Sequence, residues 1–149
     1  MTEAAPGPVV VGVDGSADGR RALLCALDEA RWRGVGVVLI HAFDFDTASM
    51  MAYSDAALRE IVHAAETVVR AEVEFARDRG VPVEGRTVYG HAAKVLVDEA
   101  SGASLLVVGS RGRGGLAGAL LGSVSAACLH HAACPVLVVP PVGACATPT

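Results

Sequence analysis

Apolar and polar residues change period repeatedly along this chain. Pro8–Asp14 (PVVVGVD) is a short apolar run rich in Val, and a run without polar alternation predicts a strand buried on both faces. Gly15-Ser16 breaks it, with Ser16 a natural helix N-cap. Ala22, Leu23, Ala26, Leu27 and Ala30 then recur at helical spacing, and Gly34 is the predicted stop. Val35–Phe43 (VGVVLIHAF) predicts a second strand and Asp44–Ser54 a loop. A long helix follows. Leu58, Ile61, Val62, Ala65, Val68, Val69, Val73 and Ala76 line one face, and Arg59, Glu60, Glu66, Arg70, Glu74 and Arg77 the other. Gly80 is its predicted end. Val81–Tyr89 reads as a third strand, Lys94–Gly102 as a short helix and Ser104–Val108 (SLLVV) as a fourth strand. Ser123–Ala132 reads as a last helix and Pro135–Val139 (PVLVV) as a fifth strand, which Pro140-Pro141 stops.

Strands alternating with helices are βαβ units. The expected fold class is therefore α/β: an open, five-stranded parallel sheet with helices on both faces, Rossmann-like. The chain has 149 residues, which suits one domain with its core over about residues 9–139 and a loose tail over 140–149. The apolar fraction is 52%, drawn mostly from Ala and Val, so the core is expected to be built of small side chains. Net charge is −4 with no clustered basic face, which argues against a nucleic-acid partner. Cys25, Cys128, Cys134 and Cys145 form no CxxC pair and fit a reduced, cytoplasmic compartment. The start, MTEAAPGPVVVGVDGS, has no basic region before an apolar one, so no signal peptide is expected. Residues 114–129 carry no charge, but they fall short of the ~20 residues a membrane span needs and run into His130-His131. No membrane association is expected.

In sheets of this kind, ligands bind outside the carboxyl ends of the strands, where the strand order reverses. Two post-strand loops stand out. One is VDGS after the first strand. The other is GSRGRGGLAGALLGS, residues 109–123, in which six of fifteen residues are glycine. Glycine is costly in backbone entropy, so such a density needs a reason. Successive N–H groups of a glycine loop can point at one anion. Gly122-Ser123 opens a helix, whose N-terminus offers N–H groups and a positive dipole end to phosphate. Arg111 and Arg113 add charge. The plainer account is that the glycines make a flexible loop and Ser123 caps the helix, and composition leaves both open. There is no GxxxxGK[ST], hence no P-loop. Gly112-Arg113-Gly114-Gly115-Leu116-Ala117 fits GxGxxA, but it follows the fourth strand and no acid lies in residues 132–139. The histidines have no metal-ligand spacing, and no metal site is expected.

The glycine spacing is more specific. Gly109-x-x-Gly112, nine residues, then Gly122-Ser123 resembles the ATP-binding motif of the universal stress protein family. VVGSRGRGG, LLGSVS, HHAACPVLVV, and VVVGVDGS followed by Arg21-Ala22-Leu23, are similar to the same family, from about Val9 to Val139. The resemblance implies strand order 3-2-1-4-5, with the first and fourth strands flanking the switch point. It implies ATP, alone or with magnesium, as cofactor. It implies that Asp14 holds the ribose hydroxyls and that the Ala42 backbone reads the adenine edge. Gly109, Gly112, Gly122 and Ser123 match phosphate-binding positions, with Arg111, Val124 and Ser125 beside them. Read without the family, Asp14 is a strand-end acid facing a helix N-terminus, and Ser125 an ordinary first-turn serine. The family also implies a homodimer through the apolar fifth strand, a sheet edge, and an unidentified protein partner in stress adaptation.

The chain departs from the family in places. Gly19 stands where Ser is frequent, Gly90-His91-Ala92 replaces an acid or amide followed by Pro, and Ala126-Ala127 replace a charged pair. His91 either reaches a phosphate or is a solvated residue at a helix start. No positioned base or metal-binding acid accompanies the two arginines, so the expected function is nucleotide binding and sensing with little or no hydrolysis, not enzymatic turnover. The alternatives are an AMP or cyclic AMP binding protein of the same fold, an adenylating enzyme of related fold, and a nucleotide-free interaction module. The adenylating enzyme would carry SGGxDS where this chain has Asp14-Gly15-Ser16-Ala17-Asp18.

Overall fold

The computed structural model describes residues 3–45, 47–111 and 121–141. Gly112, Arg113, Cys145 and most of the expected tail lie outside these residues. In chain order the elements are β1 (Val9–Gly12), α1 (Ala17–Arg33), β2 (Val37–Phe43), α2 (Thr47–Met50), α3 (Asp55–Ala76), β3 (Val83–Tyr89), α4 (Ala92–Glu99), β4 (Leu105–Gly109), α5 (Ser123–His131) and β5 (Val136–Val139). The strands form one sheet in the order β3-β2-β1-β4-β5, and every pairing is parallel. The expected fold class and strand order are both found.

The Val-rich runs are strands because both faces of the sheet are covered. Val9, Val11, Leu39, Leu105 and Val107 meet Leu23, Leu27 and Ala30 of α1 and Val69 and Ala76 of α3 in one core layer. Val10, Ile40, Leu106 and Val108 meet Val95 and Leu96 of α4 and Cys128 of α5 in the other. Burying one Val or Leu side chain is worth about 1.5–3 kcal/mol, so a strand such as β1, apolar on both faces, cannot sit at a surface. Small residues let the layers approach. A Cβ on Gly85 of β3 would lie 2.5 Å from Val69 Cγ1 and 2.6 Å from Val73 Cγ2, so glycine is what admits α3 at this distance.

Element ends differ from expectation where local backbone chemistry decides them. Ser16 caps α1 as expected, its Oγ accepting the Gly19 N–H at 3.1 Å, and Gly34 ends the helix in the left-handed region at φ 68°. α3 stops at Ala76, short of Gly80. Arg77 is extended, and Asp78 (φ 67°) and Gly80 (φ 78°) turn the chain with positive φ. β3 starts at Val83 because Pro82 has no N–H to give, although its carbonyl accepts the Val37 N–H at 2.9 Å. α4 begins at Ala92, two residues before the expected start, and the expected loop after β2 contains the single turn of α2. No helix among the described residues is long and apolar enough to cross a membrane.

One ion pair ties α1 to α3. Arg20 Nε donates to Glu72 Oε2 at 3.2 Å and its Nη2 to Oε1 at 3.0 Å. The Glu72 side chain is 4% exposed and that of Arg20 43%. The same guanidinium lies 4.3 Å from the Phe75 ring centroid, and Arg79 stacks on that ring at 4.4 Å. Removing the arginine strands a buried carboxylate. Arg20→Ala is expected to cost about 2–3 kcal/mol, at the low end for a broken buried pair because Arg20 is half open to water. The double change Arg20→Met with Glu72→Leu should return most of that loss. Urea denaturation of the two variants against wild type measures it, and a double variant no more stable than Arg20→Ala would refute the pairing.

Candidate functional site

β1 and β4 are adjacent strands whose chains leave for opposite faces of the sheet. β1 pairs with β2 as far as Gly12↔Ile40 and with β4 as far as Val11↔Val107. The chain leaving β1 enters α1 on one core layer, and the chain leaving β4 enters α5 on the other. A crevice opens between the two departures, at the carboxyl edge of the sheet. This is the siting rule for ligands in open α/β sheets.

The first wall is the turn Asp14-Gly15-Ser16. Asp14 Oδ1 accepts the Ser16 N–H at 3.0 Å and also the Ser16 hydroxyl. Gly15 takes φ 81°, which makes the turn possible. A Cβ on Gly19 would lie 2.8 Å from Asp14 Oδ1, so glycine at this position leaves room for the carboxylate against the first turn of α1.

The second wall is the base of the glycine-rich loop. Ser110 is buried, its N–H bonded to the Val139 carbonyl at 2.9 Å. Its own carbonyl accepts the Gly122 N–H at 2.6 Å and the Ser125 hydroxyl at 3.0 Å. The chain thus leaves and returns at one point. Gly122 is the N-cap of α5, extended at φ −75°, and contributes no side-chain bond. Ser123 is therefore the first helical residue and not the cap, and Gly122 needs no positive φ. Ser123, Val124 and Ser125 carry first-turn N–H groups, which have no intrahelical acceptor and point out of the helix end. Ser125 Oγ, 2% exposed as a residue, faces the Ser110 and Gly122 carbonyls and serves as a brace. Gly109 ends β4, and a Cβ there would meet the Arg111 carbonyl at 3.4 Å and that of Asp18 at 3.6 Å. Arg111 follows at the start of the loop.

Ala42 stands near the end of β2, half-buried and opposite Val88. Beside it, His41 Nδ1 lies 2.8 Å from the Val13 carbonyl. At the same end of β2 and β3, Phe43 packs edge-on against Phe45 and Tyr89 at centroid distances of 5.7 and 5.8 Å, and Phe45 lies tilted against Tyr89 at 5.2 Å. Three residues that shape the crevice were not singled out in the sequence reading: Ser110, Gly19 as the space for a carboxylate, and His41. Ser110 sits within VVGS and was legible as part of the motif, whereas His41 bonds across 28 residues and leaves no local signal. His91 is exposed at the start of α4 and makes no capping bond with its side chain. Burial pushes the Cys25, Cys128 and Cys134 thiols up, so they are poor nucleophiles at neutral pH.

A family model described as "Universal stress protein family" matches residues 7–140. The universal stress protein Rv2005c of Mycobacterium tuberculosis is 40% identical over 134 residues, which cover 88% of this chain and 44% of that protein. The chain thus spans less than half the length of this relative. Among solved structures, a universal stress protein in complex with cAMP superposes with a TM-score of 0.71 at 29% identity, covering 91% of this chain and 98% of that one. A universal stress protein family protein from Arabidopsis thaliana with AMP bound has a TM-score of 0.64 at 25% identity, covering 97% of both chains.

The Ser125 brace is testable on its own. Ser125→Ala leaves the Ser110 carbonyl with one donor fewer in a buried place, and should cost about 1–2 kcal/mol in urea unfolding. Ser123→Ala, at an exposed position outside the cap, should stay within ~0.5 kcal/mol of wild type. Equal effects would contradict the assignment of the two serines.

Proposed function

The chain belongs to the universal stress protein family, and from that premise we propose that it binds an adenine nucleotide, ATP foremost, in the crevice between the β1 and β4 loops. The carrying observation is that a carboxylate held by its own turn and a helix N-terminus without a side-chain cap converge on one crevice. The two sets of donors and acceptors suit the two halves of a nucleotide. A carboxylate can accept from both ribose hydroxyls, the role assigned to Asp14. The Ala42 main chain offers one donor and one acceptor to the adenine edge. The phosphates belong to Gly109, Arg111, Gly112, Gly122 and the first-turn N–H groups of Ser123, Val124 and Ser125. Magnesium, where present, arrives on the phosphates of ATP.

The reading is one of binding and sensing, with little or no hydrolysis, in a reduced cytoplasmic setting. AMP or cyclic AMP is the second reading, favoured by the AMP and cAMP carried by the two similar solved proteins. The β5 edge, where Val136, Leu137 and Val138 are half-buried, is the proposed homodimer surface, with an unidentified protein partner elsewhere. Sedimentation at micromolar concentration should give twice the chain mass, and Val138→Lys should return it to one. A single-chain mass for wild type would overturn the dimer.

Calorimetry with ATP, ADP and AMP tests the site. Asp14→Ala should weaken all three alike, by about 10–100-fold, because ribose is common to them. Gly122→Val keeps an allowed backbone but brings a branched side chain to the helix end. It should weaken ATP about 100-fold and AMP far less. Affinity should fall from ATP to AMP in wild type. A wild-type protein that binds no adenine nucleotide would sink the reading, and equal affinity for AMP and ATP would move it to the monophosphate.

A further inference from the structure

The β1–β2 ladder has a regular phase. Val9 N–H bonds to the Gly36 carbonyl at 3.0 Å and Val13 N–H to the Ile40 carbonyl at 2.9 Å. On the other side of β2, Val37 N–H bonds to Pro82 and the Phe43 carbonyl accepts from Gly90. Even-numbered residues of β2 therefore turn their main-chain N–H and C=O toward β1, and odd-numbered ones toward β3. Ala42 is even-numbered, so its main chain faces the continuation of β1. The next bond of the ladder would run from the Ala42 N–H to the Val13 carbonyl. The paired register stops before it, at Gly12↔Ile40. The His41 ring, with Nδ1 at 2.8 Å, occupies that carbonyl instead.

We infer that His41 is the positioning residue of the nucleoside half of the site: by taking the Val13 carbonyl, it ends the β1–β2 ladder and leaves the Ala42 main chain open to the base. A carbonyl carries no proton, so Nδ1 is the protonated ring nitrogen and acts as donor. The same bond fixes Val13, the residue before Asp14. Base and ribose contacts are thus set by one side chain, which touches neither. This inference rests on the adenine-nucleotide reading for its purpose. Its structural core, the exchange of one ladder bond for a side-chain bond, stands apart from any ligand.

Two substitutions separate the roles. His41→Leu removes the donor and returns the Val13 carbonyl to the ladder. His41→Asn keeps an N–H two bonds from Cβ and should hold that carbonyl as the histidine does. The first measurement is amide hydrogen exchange by NMR on the ligand-free protein. The Ala42 amide should exchange about tenfold or more slowly in His41→Leu than in wild type, because it gains a ladder partner, and at the wild-type rate in His41→Asn. Loss of a stabilising contact alone would speed exchange, so a faster or unchanged Ala42 amide in His41→Leu overturns the inference. The second measurement is calorimetry with ATP and inosine triphosphate, which differ at the base edge, and with tripolyphosphate, which lacks a nucleoside. His41→Leu should reduce the preference for ATP over inosine triphosphate by about tenfold while tripolyphosphate binds as before, and His41→Asn should restore the preference. Undiminished base preference in His41→Leu refutes the positioning role. Failure of wild type to bind any of the nucleotides refutes the nucleotide reading, and the exchange result still decides the ladder.

Discussion

β1 is hydrogen-bonded along both edges and buried on both faces, so it has no boundary with solvent except at its ends. Its backbone groups must be paired until the strand stops, and how it stops decides what the carboxyl edge of the sheet can do. Here the ladder ends in side-chain and turn chemistry. Val13 still donates to Ile40, its carbonyl passes to His41, and Asp14 turns back on Ser16. β4 ends in the same manner one strand away, where Ser110 gives its N–H to Val139 and its carbonyl to Gly122 and Ser125. Both loops are held by bonds to the strand ends that flank the crevice, which makes the crevice a product of the sheet rather than an addition to it.

The sheet itself could be read from the sequence because its rule is one-dimensional. A parallel strand covered on both faces must be a continuous apolar run, and VVV, VVLI, LLVV and VLVV satisfy that rule without ambiguity. Ser16 and Gly34 mark α1 by local chemistry in the same way. The misplaced boundaries lie where the deciding bond is not local in pattern. Arg77 and Asp78 leave the helix before the glycine that would announce its end, and Pro82 delays β3. At the candidate site, the glycines and Asp14 were legible through their spacing. The bond from Ser125 to the Ser110 carbonyl and the His41 bond were not, because each joins residues that only the fold brings together. The capping role open to Ser123 also failed on a local detail: the helix starts one residue earlier in phase, with Gly122 as its cap.

A core of Ala, Val and Gly imposes a second condition. Small side chains bury less area per residue, so the layers must come close to gain as much. Gly85 does this between β3 and α3. Glu72 is buried at the α1–α3 seam, and its cost is met by a bidentate arginine that also covers Phe75. The pair fixes α1 against α3 at Arg20, three residues beyond the start of α1 at Ala17. α1 begins at the Asp14-Ser16 turn, so one helical turn carries both the cap that holds the candidate ribose-binding carboxylate and the ion pair to α3.

The loop base raises a question of cost that can be answered in magnitude. Eleven residues separate Ser110 from Gly122, and bringing together two chain points that far apart in sequence costs roughly 2 kcal/mol in chain entropy. The Gly122 N–H and the Ser125 hydroxyl both bond to the Ser110 carbonyl, and two such bonds contribute about 1 kcal/mol each. The terms balance. Closure of the loop is thus met by the protein's own bonds and need not be drawn from ligand binding. At the proposed phosphate site, the first-turn N–H groups of α5 thus stand on a fixed helix before any anion arrives, and its contacts would count toward affinity instead of toward ordering the chain. Ser125 is central to this arrangement although its hydroxyl points inward. By tying Ser110 to the first turn of the helix, it holds the end of β4 and the N-terminus of α5 at one separation, the separation across which a phosphate would be shared.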